Sequence, residues 1–385
     1  MALKHNILKM YFLKGVNCFM IVMPIIVIFF QENNLTITEI MILQAVYSLT
    51  IAMLEIPSGF LADSFGRRNS IFISTVFSFI GYIILSTYVG FNQYLIAEIL
   101  LGIGASLISG ADSAIIYDTL LELNDKNSYT KIEGKNYAIG NFSEAIAGLL
   151  GGYLAIASIS LGLYLPMYIQ TFVVMLSIPI AYSLVEPKRT FKIAKSLKSI
   201  LIIVQDTLIT NKKLKWYIIY SSAIGLTTLS IAWFVQPFLS TIDMPLIYFG
   251  IIWAALNIIA GITSYYSYLI NNRNLLIIIS LSITISLICL GLNISLIGLI
   301  FISSIYLLRG IITPHMRNLI NINTTSERRA TVMSLRSFMI RLSFSLTVPI
   351  LGYITDIYSI NYVFFCLAAI TGITSLLAAY KLSYK

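Results

Sequence analysis

Charge is scarce in this chain. Only 11% of its 385 residues are Asp, Glu, Lys or Arg, and 58% are hydrophobic, against about a quarter charged and about half apolar in an ordinary soluble domain. Histidine amounts to two residues and cysteine to three. Cys18, Cys289 and Cys366 lie in separate apolar runs without Cys-x-x-Cys spacing, so they read as buried thiols and supply no disulfide framework. His5 stands in the N-terminal tail and His315 near the end of an apolar run. Without a His/Cys/carboxylate cluster, no metal and no cofactor is expected. Also missing are a His-Glu-x-x-His pair, a nucleophile elbow and a P-loop, which argues against an intramembrane enzyme.

What fills the chain is apolar length. Uncharged runs at 145–185, 216–242, 244–272, 274–308 and 357–380 all exceed the roughly 20 residues that cross hydrocarbon. They are continuously apolar rather than alternating, so backbone hydrogen bonds must close within helices and a barrel is excluded. An all-α membrane protein follows. Polar junctions divide it into twelve spans, near 10–30, 38–61, 70–89, 92–118, 134–157, 162–185, 214–239, 245–270, 274–291, 295–319, 328–354 and 360–381.

The net charge of +9 does not mark a nucleic-acid binder, because the basic residues fall at intervals between the spans. Lys4, Lys9 and Lys14, then Arg67 and Arg68, then Lys126, Lys131 and Lys135, then Lys188 to Lys215, Arg273, Arg328, Arg329 and Lys381 mark alternate junctions. By the positive-inside rule both termini and the central loop lie in the cytoplasm and the chain is a multi-pass protein of the cytoplasmic membrane. The basic start lacks a small-residue cleavage site, so it is read as a retained first span.

One long polar interruption, Glu186 to Lys215, separates two six-span halves. The predicted domains are 1–186, a cytoplasmic linker 187–213 and 214–385. In the linker Phe191, Leu197, Ile200, Leu201, Val204 and Leu208 recur at helical spacing opposite Lys192, Lys195 and Lys198, which suits either an interfacial helix on the anionic leaflet or a loosely helical basic linker. LLGGYLAIAS at 149–158 in the fifth span and ILGYITDIYS at 350–359 in the eleventh suggest a duplication. Two pseudo-symmetric six-helix bundles are an architecture of secondary transporters.

The sharpest motif is GFLADSFGRR, Gly59 to Arg68, between the second and third spans. It resembles the loop motif of the major facilitator superfamily, Gly-x-Leu-Ala-Asp-x-x-Gly-Arg-Arg/Lys, at every defining position. The resemblance implies twelve helices in a 6+6 fold, alternating access and solute transport without covalent chemistry. It further implies that the loop closes the cytoplasmic side against the start of the eleventh span near Arg328. Asp63 would then approach a helix N-terminus, and Arg67, beside Arg68, would pair with Asp118 at the foot of the fourth span. Departures from the family are also plain. The junction SYLINNRNLL keeps Arg273 but lacks the acid, Glu98 stands where the fourth span often carries Arg, and SEAIAGLLGG lacks the proline of the antiporter signature.

Ionisable groups inside spans are costly and usually face a cavity or a partner. The first half carries Glu55, Glu98, Asp112 and Glu144; the second carries Arg309, Arg336 and Arg341. The resemblance makes the first, fourth, seventh and tenth spans line the cavity, so Glu98, Asp112 and Arg309 are candidates for solute or proton contact, with Asn17 and Trp233 on the same spans; Glu144 and Arg341, near mid-depth on the fifth and eleventh spans, are candidates too. Gln44, Gln236, Trp253, Asn257 and Tyr306 are polar or aromatic neighbours with the same possible place. Glu55 and Arg336 lie equally deep from Asp63 and Arg328, so they could form a lock between halves. The same charges equally suit ion pairs that only hold one conformer. The expected function is proton-coupled efflux of an amphipathic, drug-like solute, with uptake by symport or a nontransporting receptor as alternatives. The expected partners are the solute, protons and the lipid bilayer, with the chain a monomer.

Overall fold

The computed structural model describes residues 2–125, 128–157, 161–187, 202–270, 272, 274–325 and 328–383. The side chains of residues 2, 56, 59–61, 63, 64, 130 and 330 lie outside that description. Among the described residues there is no strand. The helices are α1 (His5–Cys18), α2 (Ile26–Glu32), α3 (Ile37–Phe65), α4 (Arg67–Thr87), α5 (Phe91–Ile108), α6 (Ala111–Glu122), α7 (Tyr129–Ala157), α8 (Tyr164–Met175) and α9 (Ser177–Tyr182). After the linker come α10 (Lys212–Thr241), α11 (Ile247–Tyr265), α12 (Leu275–Leu292), α13 (Gly298–Ile322), α14 (Arg329–Ile357) and α15 (Ile360–Ser383).

Eleven of the described helical segments are long and apolar enough to cross a membrane. The predicted first span is the twelfth, broken into α1 and α2. Pro24 cannot donate a backbone hydrogen bond, and the chain turns through residues 19–25 before α2 begins. The Ile21 N–H freed there donates to Gln170 Oε1 at 2.7 Å, in a buried contact. The predicted fourth span is also two helices. Gly110, at φ 80°, separates α5 from α6 in a left-handed conformation that favours glycine. By contrast the seventh and tenth spans, α10 and α13, run unbroken despite Pro237 and Pro314.

Large apolar side chains point outward along the spans, among them Phe142, Leu346 and Ile373, the reverse of a water-soluble surface. Interhelical polar bonds then replace the missing hydrophobic drive between helices. Tyr220 of α10 donates to the Leu276 carbonyl at 2.9 Å, Ser74 of α4 to the Gly104 carbonyl at 2.7 Å, and Thr227 pairs with Thr371.

The chain forms two compact units. The first comprises Met1–Asn33, Val46–Ala194 and Leu246–Ala254; the second comprises Asn34–Ala45, Lys195–Pro245 and Ala255–Lys385. Each unit therefore takes a short stretch from the other half of the sequence: the first turns of α3 belong to the second unit and those of α11 to the first. The first unit is built around Met10, Leu13, Ile71, Ile115, Ile116 and Leu120. In the second, α10 is the most enclosed helix, with Ile218, Tyr220, Phe234 and Phe238 fully buried. Most of the predicted amphipathic linker, 188–201, lies outside the described residues. Val204 is helical, and Leu208 lies in the π turn Asp206–Thr210 that follows. Asn211 then caps α10 by accepting from Leu214 N at 3.0 Å.

Candidate functional site

The motif loop is a turn between two helices held by a distant acid. Gly66 adopts φ 101° between α3 and α4, where an L side chain is strained. A Cβ there would also lie 3.3 Å from the Glu186 carboxylate. That carboxylate caps α4: Oε1 accepts from Arg67 N at 3.0 Å and Oε2 from Arg68 N at 2.7 Å. A negative charge at a helix N-terminus is where the macrodipole favours it. The Arg67 guanidinium donates to the Ala114 carbonyl and pairs with Asp118, both side chains being mostly buried. Arg68 donates to the Tyr182 carbonyl at 2.8 Å and lies over the Tyr182 ring, 5.2 Å from its centre. The segment after α9 is thereby fastened, since Lys9 donates to the Ser183 carbonyl and buried Asn6 bonds both N and O of Val185. Asp63 belongs to the last turns of α3, with its side chain outside the described ones.

The interior charges of the first unit gather around the broken spans. Asp112, in the first turn of α6, accepts from Ser113 N at 2.7 Å, and the Ser113 hydroxyl donates to Glu133 Oε1 of α7 at 2.6 Å. The Lys14 ammonium stands within electrostatic range of Asp112 and Cys18, and Glu144 within range of Cys18. Lys14 and Cys18 both rest on Gly140 of α7. Glu98 is buried in α5 near Tyr82, Glu55 is half-buried in α3, and Asn17 is half-buried at the end of α1. Beside this cluster a groove of about 480 Å³ is walled by Leu8, Phe12, Val16, Ile139 and Val173, with Tyr11 at its polar edge.

Among the described residues, the spans of the second unit carry cations inside, with acids toward their ends. Arg309 of α13 lies over the Tyr306 ring, 5.6 Å from its centre. Arg336 of α14 donates to Ser221 Oγ of α10 at 3.0 Å, with Arg317 within electrostatic range. Arg341 is half-buried, and Trp233 is buried in α10. Arg328 pairs with Asp206. His315 places its two ring nitrogens on the Ile311 and Ile270 carbonyls, at 2.9 and 3.0 Å. At the far end of α14, Asp356 accepts from Ile37 N at 3.1 Å, Thr38 N at 2.8 Å and the Thr38 hydroxyl at 2.5 Å. A capping box between Thr36 and Glu39 completes that terminus of α3. No described group of three His, Cys, Asp or Glu residues has the arrangement of a metal site.

Two broken helices facing a fifth-span acid, twelve spans and a capped GFLADSFGRR loop agree with the sequence pattern of the Major Facilitator Superfamily, which matches residues 10–322. The chain belongs to that superfamily. Among curated proteins, none matches it in sequence. Among solved structures it is similar to a mutant of the nucleoside transporter NupG, with a TM-score of 0.81 at 12% identity over 98% of this chain and 99% of that one. The D-xylose-proton symporter gives 0.72 at 12% identity over 98% and 96%. A bacterial homolog of the human lysosomal transporter Spinster gives 0.70 at 15% identity over 99% and 95%. This superfamily chain is a multi-pass membrane transporter of a small solute and not an enzyme.

Lys14, Glu133, Glu186 and Asp356 escape a linear reading. Lys14 reads as one more basic junction residue, and Glu133 sits in a polar stretch before the fifth span. Glu186 and Asp356 act on helix ends 119 and 319 residues away.

Proposed function

We propose that this superfamily member is a proton-coupled secondary transporter that exports an amphipathic solute by alternating access. The observation that carries the reading is the sorting of interior charge. Glu55, Glu98, Asp112, Glu133 and Glu144 stand with Lys14 in the spans of the first unit. The interior of the second unit's spans holds Arg309, Arg336 and Arg341 and no acid. Carboxyls in a poorly hydrated interior change affinity for a proton as their surroundings change, which is the property a coupling site needs. Asp112 and Glu144 are the carboxyls proposed to couple protons, with Glu98 a further candidate contact. The apolar groove beside Tyr11 suits a solute with an apolar body and a polar head. Arg309 and Trp233 offer further contacts for such a solute, and Glu55, Asp63 and Arg336 act at the cytoplasmic gate.

The test is flux in proteoliposomes against a compound panel, with a pH gradient of either sign. Export driven by inward protons, and lost in Asp112→Asn or Glu144→Gln, is the expected result. Gradient-driven co-transport of solute and proton in one direction would favour symport, the mode of the structurally similar D-xylose-proton symporter. Flux indifferent to gradients of both signs would overturn proton coupling.

A further inference from the structure

Glu133 combines two features. Its Oε1 receives the Ser113 hydroxyl at 2.6 Å, while its Oε2 is buried without a hydrogen-bond partner. One helical turn further along α7, Asn136 is only 2% exposed and its Oδ1 is likewise without a partner. Residues three apart on a helix are neighbours. Two buried acceptor oxygens, each without a partner, thus lie one turn apart on α7. Gly140, one turn beyond, is where Lys14 rests, so this stripe of α7 is the one that meets α1.

We propose that Glu133 is a proton-carrying carboxyl of this transporter, positioned by Asn136 and linked through Ser113 to Asp112. The inference rests on the proton-coupled reading. A proton placed on Oε2 converts one acceptor into a donor, which Asn136 Oδ1 can accept, and removes a charge from a poorly hydrated interior. Ser113 owns one hydroxyl proton and gives it to Glu133, while its N–H goes to Asp112. Asp112 therefore senses the charge of Glu133 through one residue.

The charged and titratable surroundings favour a single exchangeable proton. From α1 come Tyr11, which interacts with Glu133, and Lys14, which interacts with Asp112. From α6 come Asp112 and Tyr117, and from α7 itself Tyr129, whose ring packs on Tyr117 at 5.2 Å. Glu133, Asp112 and, by way of Cys18, Glu144 gather near the one Lys14 ammonium, so the cluster is acidic and a bound proton reduces its excess negative charge. The same helix reaches α11. Fifteen residues along α7, about 22 Å at 1.5 Å per residue, Gly148 meets Trp253 of α11.

The test needs no identified solute. Full-length protein in proteoliposomes carries a reporter cysteine at the exposed Ile251 of α11, with Cys289 and Cys366 replaced by Ser and the reporterless protein as background. Labelling, normalised to the denatured protein, is followed between about pH 5.5 and about pH 8, the range of perturbed carboxyls. Wild type should change by about threefold or more, while Glu133→Gln should label at both ends as wild type does in acid. Asn136→Leu and Ser113→Ala keep the carboxyl, and each should move the midpoint. Glu133→Gln that follows pH as wild type does overturns this site and leaves proton coupling intact. A wild type indifferent to pH overturns both. If Glu133→Gln fails to fold, unmoved midpoints in the other two variants overturn the proposal.

Discussion

Removing one charge from the end of α14 should loosen the contact it makes with the start of α3. Asp356 accepts three hydrogen bonds from Ile37 and Thr38, and Asp356→Asn keeps one acceptor oxygen while losing the other and the negative charge. A charged hydrogen bond contributes about 1.5–3 kcal/mol and a charge at a helix terminus about 0.3–1 kcal/mol. Asp356 is exposed, so screening reduces these figures, and the Thr36/Glu39 box still caps α3. A net loss of about 1 kcal/mol remains, or about fivefold in the population with the contact made. Gly352→Ala should do more, since its Cβ would stand 2.9 Å from Thr38 Cα and 3.0 Å from the Ile37 carbonyl. Spin labels at the exposed Asn34 and Tyr358, read by pulsed dipolar spectroscopy, report the separation directly. A single short distance in wild type should acquire a longer component in Asp356→Asn and be largely replaced in Gly352→Ala. Identical distance distributions in all three proteins would refute the cap as a holding contact.

Two further outcomes test the loop and the orientation. Gly66→Ala forces a side chain into φ 101° against the Glu186 carboxylate, a region essentially reserved for glycine, costing about 1–3 kcal/mol, and should lower the melting temperature in detergent; pairing it with Glu186→Ala should recover the crowding part but not the backbone part. Cysteines at Asn92 and Asp243 should react with an impermeant maleimide from outside intact cells and one at Ser64 should not, and the opposite pattern would reverse the positive-inside assignment.

The helical class and the number of spans were legible because both follow from sums over many residues. A run such as 274–308 has one way to satisfy its backbone in lipid, whatever the order of its side chains. The breaks in the first and fourth spans were not legible from hydropathy. Residues 19–25 and Ser109–Gly110 are as apolar or as small as their neighbours, and Pro24 and Gly110 each have unbroken counterparts elsewhere, such as Pro314 inside α13 and Gly102 inside α5. What decides is a partner for the freed backbone, and Gln170 lies 149 residues from the Ile21 it serves. The Arg67 contact with Asp118 could be read because a family pattern named both ends. Nothing named Glu186, whose neighbours Val185 and Pro187 mark it only as the end of a span.

Asp356 shows how much a local pattern withholds. Gly352-Tyr353-Ile354-Thr355-Asp356 matches Gly59-Phe60-Leu61-Ala62-Asp63 in residue character, each ending a long helix with an acid one turn after a glycine. The acid of the second copy caps the start of α3, and the helix that bears the first copy is that same α3. A carboxylate at the C-terminal end of a helix is unfavourable toward its own dipole, so its placement there is explained only by the N-terminus it meets. That cost makes such an acid a sensitive holder of contact: it stabilises its position while the partner helix end is present and destabilises its own helix once the partner leaves. A helix-ending Gly-aromatic-aliphatic-small-Asp in a membrane chain is therefore best read as half of a contact between two helix ends.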